Sequence, residues 1–197
     1  MRKTFLCLLA WLCVLTTVQA QAPSTVPIFA FDKTQSSIRF HVDASVTIDG
    51  TFDRWDARLT FASPLASSAV LEIKAYADSV NTGSSLKDNT LKGADFFDAR
   101  NNPYITFEST RVAQTGPATF EVDGNFTIRG VTKAEKLRLT VSGRGTGQGH
   151  IDGTMGFNRQ DYGMNSGIPF IRIANEVEVT INLYGRRIAG PPVEFKQ

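Results

Sequence analysis

Hydrophobic and polar residues alternate with a period of two along most of the chain. One series is Ile38, Phe40 and Val42, with a polar residue at each position between. The same alternation returns at Trp55, Ala57, Leu59 and Phe61; at Leu71, Ile73 and Ala75; at Ile105 and Phe107; at Phe120, Val122, Gly124, Phe126 and Ile128; at Leu137, Leu139 and Val141; and at Val177, Val179, Ile181 and Leu183. Each series predicts a strand with one apolar and one polar face.

These strands predict an all-β fold. Short turns rich in Gly, Asp and Asn join them, which is typical of an antiparallel sheet. About eight strands that share one apolar face must close into a barrel or fold into a sandwich. One stretch, residues 82–99, lacks the alternation. There Ser85 is a candidate helix cap and Asp88 follows three positions later, so we expect a short helical segment near residues 84–98, across one end of the sheet.

The N-terminal residues predict a cleavable secretory signal peptide over residues 1–20. Arg2 and Lys3 are followed by the apolar run of residues 5–15 and by Val18-Gln19-Ala20, which suits signal peptidase. The run is too short to span a bilayer, and no later segment is long and apolar enough to do so. We therefore expect an exported, periplasmic protein whose single domain covers residues 21–197.

Charge and cysteine content exclude several function classes. The whole chain has 21 basic and 19 acidic residues and two cysteines. Cleavage after residue 20 removes two basic residues and both cysteines, so the mature chain is neutral and free of thiols. Disulfides cannot stabilise it, and its charge gives no support to nucleic-acid binding.

Candidate catalytic and metal chemistry is sparse, and we predict no catalytic residue, metal or cofactor. His41 lies on the polar face of its strand, His150 follows a glycine-rich stretch, and neither has the spacing of a zinc ligand. The glycines at 143, 145, 147 and 149 are flanked by strand-like sequence, so they predict a hairpin connection and not a phosphate loop.

The apolar face is rich in phenylalanine, and two interpretations of it are open. The rings fill a solid core, or they line a cavity, since a barrel of about eight strands is large enough to hold one small ligand. The candidate lining residues are Phe40, Phe52, Phe61, Phe107 and Phe126. Asp88, Arg129 and Arg159 are candidates for the cavity mouth, where an arginine could bind an anionic headgroup or pair with an acid as a brace.

Several blocks together resemble the YceI-like family. The most specific are Asp95-Phe96-Phe97 and the run from Thr127 to Lys133, Thr-Ile-Arg-Gly-Val-Thr-Lys. Further blocks are Ser79-Val80-Asn81-Thr82-Gly83, Pro103-x-Ile105-x-Phe107, Asn158-Arg159-x-Asp161-Tyr162-Gly163 and Val177-x-Val179-x-Ile181. The resemblance implies a lipocalin-like antiparallel barrel with a polyisoprenoid or related lipid ligand, and it favours a lined cavity over a solid core.

Two departures from the family pattern bear on the ligand. The chain has Lys87-Asp88-Asn89-Thr90-Leu91 where the family commonly has Arg-Asp-x-His-Leu, and Asp43-Ala44 where it usually has a lysine-histidine pair. Polar positions that could meet a pyrophosphate headgroup are thus missing. This leaves room for a ligand with a neutral headgroup, such as an isoprenoid quinone, a fatty amide or a fatty acid.

The favoured hypothesis is a periplasmic carrier that sequesters a long apolar small molecule inside the barrel. It has no nucleic-acid partner and no integral membrane segment, and a homodimer is left open. One alternative is an enzyme at the barrel mouth, which requires His41 or Asp88 to converge with another titratable group in a pocket. The other is a non-catalytic module with a solid core that serves a stress-response or membrane redox system.

Overall fold

Eleven antiparallel strands form one curled sheet in the computed structural model, which describes residues 24–45, 47–167 and 171–196. The predicted signal peptide lies outside the described residues. The strands are β1 (Ile28–Phe31), β2 (Ser37–Val42), β3 (Ile48–Phe52), β4 (Trp55–Phe61), β5 (Ala69–Tyr76), β6 (Val80–Asn81), β7 (Tyr104–Gln114), β8 (Thr119–Ile128), β9 (Val131–Ser142), β10 (Gln148–Asn158) and β11 (Glu176–Ala189). One α-helix, α1 (Ser85–Lys92), lies between β6 and β7.

The sheet curls until its two edges meet. The strand order is β4-β5-β7-β8-β9-β10-β11-β2-β3-β6, and β3 leads into β4 just as β5 leads into β6. Across the bend, the Asp53 amide donates to the Ser79 carbonyl at 3.0 Å and the Tyr76 amide donates to the Arg54 carbonyl at 3.0 Å. Further along, β1 pairs with the end of β11 and contacts β4. The apolar faces of the strands therefore enclose one interior.

The predicted all-β class and the alternating pattern are confirmed. The inward positions of β8, from Phe120 to Ile128, are all buried, whereas Asn125 between them is exposed. The strand count is eleven where about eight were expected, because β1 and β6 are too short to show alternation. β10 was also hard to recognise, since glycines occupy two of its inward positions.

The helical segment is confirmed, but its predicted cap is wrong. The N-cap residue is Ser84, not Ser85, and its side chain makes no capping hydrogen bond. The Asp88 carboxylate reaches back to Thr82, two residues before the cap, and so does not form the predicted capping box with Ser85. An acceptor in the first turn can pair with any amide donor within reach, and here the preceding loop presents one.

The two ends of the barrel are covered by different segments. The helical end carries α1, the β2–β3 turn and residues 159–167 and 171–174, with the Ser45 amide donating to the Arg172 carbonyl at 2.9 Å. The tail end carries the β9–β10 turn, the loop over residues 62–68 and the C-terminal tail, residues 190–196. The predicted hairpin at the glycine-rich stretch is confirmed, and Gly143, Gly145 and Gly147 there have φ between 72° and 79°.

None of the helices in the described ranges has the length and apolar character needed to cross a membrane.

Candidate functional site

An apolar cavity of about 90 Å³ lies inside the barrel beneath the helical end, and we call it the helical-end cavity. Four of the five predicted lining residues contribute to its wall, namely Phe40, Phe52, Phe107 and Phe126. They come from four strands, and each is buried because alternation directs it inward. Aliphatic residues of β5, β9 and β11 complete the wall.

The aromatic rings of this cavity contact one another at an angle. Phe40 and Phe52 have centroids 5.7 Å apart, and Phe97 packs against both at 6.1 and 5.9 Å. On the opposite wall Phe126 and Phe157 are 5.0 Å apart. Tilted and edge-on pairs are the favourable geometries for such rings. The wall therefore offers ring faces and edges to an apolar guest.

A second apolar cavity, of about 130 Å³, lies at the other end, and we call it the tail-end cavity. Phe61, the fifth predicted lining residue, belongs to it and packs against Phe29 with centroids 6.0 Å apart. Leu71, Val122 and residues of the C-terminal tail also line it. The five phenylalanines thus divide between two cavities.

A single layer of inward positions separates the two cavities, and we call it the divide. Its members are Ser109, Gly124, Gly153 and Leu183, none of which lines either cavity. The Phe107 ring covers Gly124 so closely that a Cβ there would lie 2.4 Å from its Cζ atom. At Gly153 a Cβ would lie 2.5 Å from Ile181 Cγ1. Neighbouring large side chains therefore fill the space that these glycines leave.

Among the described residues, Arg159 is the one charged residue in the wall of the helical-end cavity, and only 7% of it is exposed. Its Nε donates to the Ala174 carbonyl at 3.0 Å, and its Nη1 donates to the carbonyls of Met164 and Ser166. Neither Asp88, which accepts from Thr82, nor Asp161, which pairs with Lys133, is its partner. The guanidinium instead ties together the chain that covers the cavity.

The other two predicted mouth residues also lie at the helical end. The Asp88 carboxylate accepts hydrogen bonds from the Thr82 amide at 2.8 Å and the Thr82 hydroxyl at 2.7 Å, which lower the pKa of Asp88. Arg129 has a φ of 54° and forms a two-residue hairpin turn with Gly130, whose φ is 73°. Its guanidinium donates to the Gly163 carbonyl at 3.1 Å. Both side chains hold neighbouring backbone in place.

Among the described residues, no carboxylate, histidine or tyrosine side chain lines either cavity. His41 lies on the outer face between Asp49, at 2.7 Å from its Nδ1, and Asp43, at 3.3 Å from its Nε2. Tyr162 is fully buried and donates to Glu135 at 2.7 Å, and burial raises the pKa of its hydroxyl. Across the described ranges, no three His, Cys, Asp or Glu side chains are grouped as metal ligands would be.

The sequence did not identify several residues that complete the helical-end cavity. Leu91, Phe96 and Phe97 reach it from α1 and the turns after it, and Met164 reaches it from the covering loop. The signal for the first three was present, since an apolar residue and an adjacent aromatic pair follow a polar helix. Met164 had no such signal because its loop has no regular period.

Comparison with known proteins finds a matching family model and similar sequences. The family model of the YceI-like domain matches residues 29–184. A UPF0312 protein of Pseudomonas savastanoi pv. phaseolicola is 34% identical over 124 residues, which cover 59% of this chain. The matched part spans 64% of the length of that relative.

Solved structures share the fold. Burkholderia cenocepacia BcnA superposes with a TM-score of 0.71 at 23% identity, over 79% of this chain and 99% of that one. A domain from Saccharophagus degradans, described as a polyisoprenoid binding domain, superposes with a TM-score of 0.66 at 16% identity, over 82% of this chain and 99% of that one. These similarities confirm the predicted lipocalin-like barrel. With the family match over most of its length, the chain belongs to the YceI-like domain family.

Proposed function

We propose that this chain is a periplasmic carrier or sequestering protein that holds a long apolar or amphiphilic ligand inside its barrel. The ligand class comprises polyisoprenoids, isoprenoid quinones, and fatty acids or amides. The observation that carries the proposal is the helical-end cavity, whose described lining is aromatic and aliphatic apart from Thr106 and Arg159. Membership of the YceI-like family supports it, as does the likeness to a domain described as polyisoprenoid-binding.

Burial of apolar surface supplies the affinity in this proposal. Each methylene group removed from water contributes about 0.8 kcal/mol, so a chain of modest length binds without a strong polar anchor. The empty cavity, at about 90 Å³, is smaller than the roughly 150 Å³ cavity known to admit benzene. A longer ligand must therefore displace side chains. Met155 and Met164 are the flexible members of the wall and can move at low energetic cost.

In this proposal the ligand enters the helical-end cavity through the segments that cover it. α1 and the loop held by Arg159 cover the cavity, and the sheet pairing described for them is limited to the isolated bridge between Ile173 and Ala44. On the exposed rim, Lys87 of α1 donates to the Thr47 carbonyl, a contact that opening can break at little cost. Ligand entry then needs movement of the cover and not of the barrel.

Mass spectrometry of the native protein tests this function. We expect protein purified from its own periplasm to release an isoprenoid or fatty compound on solvent extraction. We also expect farnesol, a short-chain ubiquinone or palmitate to raise the melting temperature of the emptied protein, because a ligand that binds only the folded state stabilises it. Absence of both effects would favour the solid-core module, and recovery of the protein only from the cytoplasm would refute the periplasmic role.

A further inference from the structure

We propose that the tail-end cavity is a second, separate binding site, which takes a short single-chain amphiphile with an anionic headgroup. This goes beyond the proposed function, which concerns the helical-end cavity. The divide separates the two sites, and at its centre Leu183 is fully buried. The tail-end cavity, at about 130 Å³, has its own apolar lining and its own cover.

The C-terminal tail forms that cover. It folds back after β11 so that Val193 and Phe195 pack against the barrel interior, with Phe195 and Phe120 centroids 6.1 Å apart. The Glu194 amide donates to the Pro64 carbonyl at 2.8 Å, and the Ala66 amide donates to the Glu194 carbonyl at 2.8 Å. The side-chain amide of Gln114 both donates to and accepts from the Lys196 backbone. The tail lies beyond the family match, which ends at residue 184.

Two arginines at this end determine the charge of the ligand. Arg144 and Arg187 both line the cavity, and within the described part of the chain neither forms an ion pair with a carboxylate. Nη1 of Arg144 donates to the Pro117 carbonyl and Nη1 of Arg187 donates to the Gly190 carbonyl, and within the described residues no other guanidinium nitrogen of either side chain has a hydrogen-bond partner. Arg144 also lies over the Phe195 ring, 5.1 Å from its centroid.

Together these features select a short anionic amphiphile. The apolar lining accepts a hydrocarbon chain, and the divide and the tail limit its length. Carboxylate and phosphate headgroups both suit a guanidinium, which binds them through paired, charge-assisted hydrogen bonds. Arg144 is exposed and Arg187 is half-buried, so both lie at the rim of the cavity, where an anionic headgroup gains charge-assisted hydrogen bonds that a neutral headgroup does not.

Calorimetric titration of the full mature protein with decanoate, decyl phosphate and decanol tests the headgroup. We expect both anions to bind and decanol to bind at least about tenfold more weakly. Whichever of decanoate and decyl phosphate binds more tightly identifies the preferred headgroup as a carboxylate or a phosphate. Arg144→Gln with Arg187→Gln should weaken anion binding by a similar factor, whereas Arg138→Gln on the exposed face of β9 should not. Equal binding of decanol, or no binding of either anion, would overturn the proposal.

A matched set of substitutions on β5 tests the location. Ala69 lines the tail-end cavity, Ala75 lines the helical-end cavity, and Val70 faces outward. We expect Ala69→Phe to abolish the decanoate binding that depends on Arg144 and Arg187, and Ala75→Phe and Val70→Phe to retain it, with folding of each variant checked by urea denaturation. Loss in Ala75→Phe and retention in Ala69→Phe would assign decanoate to the helical-end cavity and so contradict a second site. Phe195→Ala, which removes from the cover the ring that packs on Phe120 and lies under Arg144, should speed decanoate release severalfold.

Discussion

Arg159 stabilises the helical end through its hydrogen bonds to backbone carbonyls. A buried guanidinium is unfavourable unless its donors are satisfied, and here the carbonyls of Met164, Ser166 and Ala174 accept from it. These carbonyls belong to irregular segments, which have no ladder to pair with. One side chain thus replaces the hydrogen bonds that a strand would have given.

Arg159→Lys should reduce the free energy of unfolding by about 3 kcal/mol. A lysine ammonium group cannot reach the carbonyls of Met164, Ser166 and Ala174 at once, so some of them would be buried without a donor. Urea denaturation measures the change. Arg138→Lys, at an exposed position, is the control and should change the free energy of unfolding by less than about 0.5 kcal/mol. Equal stability of Arg159→Lys and the unchanged protein would show that the guanidinium is not needed as a tie.

His41 should titrate above its ordinary pKa of 6.5, because hydrogen bonds to Asp49 and then Asp43 favour the protonated ring. Glu178 is its partner on β11, so acids face it from both neighbouring strands and from its own. A raised pKa in the folded state means that protonation stabilises the fold. This contribution is fully present below pH 6.5 and is lost as the pH rises through the folded-state pKa.

Proton NMR titration of the His41 ring checks this prediction. Asp49→Asn should lower the pKa most, Asp43→Asn should lower it less, and Asp152→Asn, beside the other histidine, should leave it unchanged. A His41 pKa at or below 6.5 in the unchanged protein would contradict the account of this cluster.

At the scale of the element, β10 shows how glycine shapes the interior. Ile151, Gly153, Met155 and Phe157 alternate inward along it, so one of these four positions has no side chain. Leu139 and Ile181 from the two neighbouring strands fill that space. Large side chains of neighbouring strands thus fill the divide where β10 has only a glycine.

Gly153→Ala should reduce the free energy of unfolding by about 1–3 kcal/mol, because its Cβ would lie 2.5 Å from Ile181 Cγ1 and 2.7 Å from Leu139 Cδ2. Urea denaturation is again the measurement. Gly149→Ala on the same strand is the control, since its nearest contact would be the Ser142 carbonyl at 3.9 Å. Equal stability of the two variants would contradict the close packing of Ile181 and Leu139 against Gly153.

Alternation in the sequence predicted which face is buried for the seven strands that it identified, and the structure agrees. It could not predict how those faces divide into two cavities. Phe40 and Phe61 follow the same local rule, yet they line opposite ends, because their level in the barrel depends on pairing with distant strands. The position of Arg159 was equally hidden, since its partners are backbone carbonyls of a loop and carry no sequence signature.

For the whole molecule, the family match includes the segments at the helical end but not all of those at the tail end. The family match covers β2 to β10 and ends within β11, whereas the C-terminal tail lies outside it. The blocks that identified the family, such as Asp95-Phe96-Phe97 and the Arg129-Gly130 turn, lie at the helical end. We therefore place the ligand site of the proposed function at the helical end. The tail end is the part in which this chain can differ from its relatives.

The central claim is that an apolar ligand binds inside the barrel, in the helical-end cavity. Calorimetric titration of farnesol into the mature protein and its Ala75→Phe and Val70→Phe variants tests this claim most directly. Ala75 is 3% exposed and lines the cavity, so a phenylalanine there occupies the space of the ligand, whereas Val70 on the same strand faces outward. We predict that Val70→Phe binds farnesol as the unchanged protein does and that folded Ala75→Phe binds at least about tenfold more weakly. Equal binding by all three proteins, or no binding by any of them, would contradict the account.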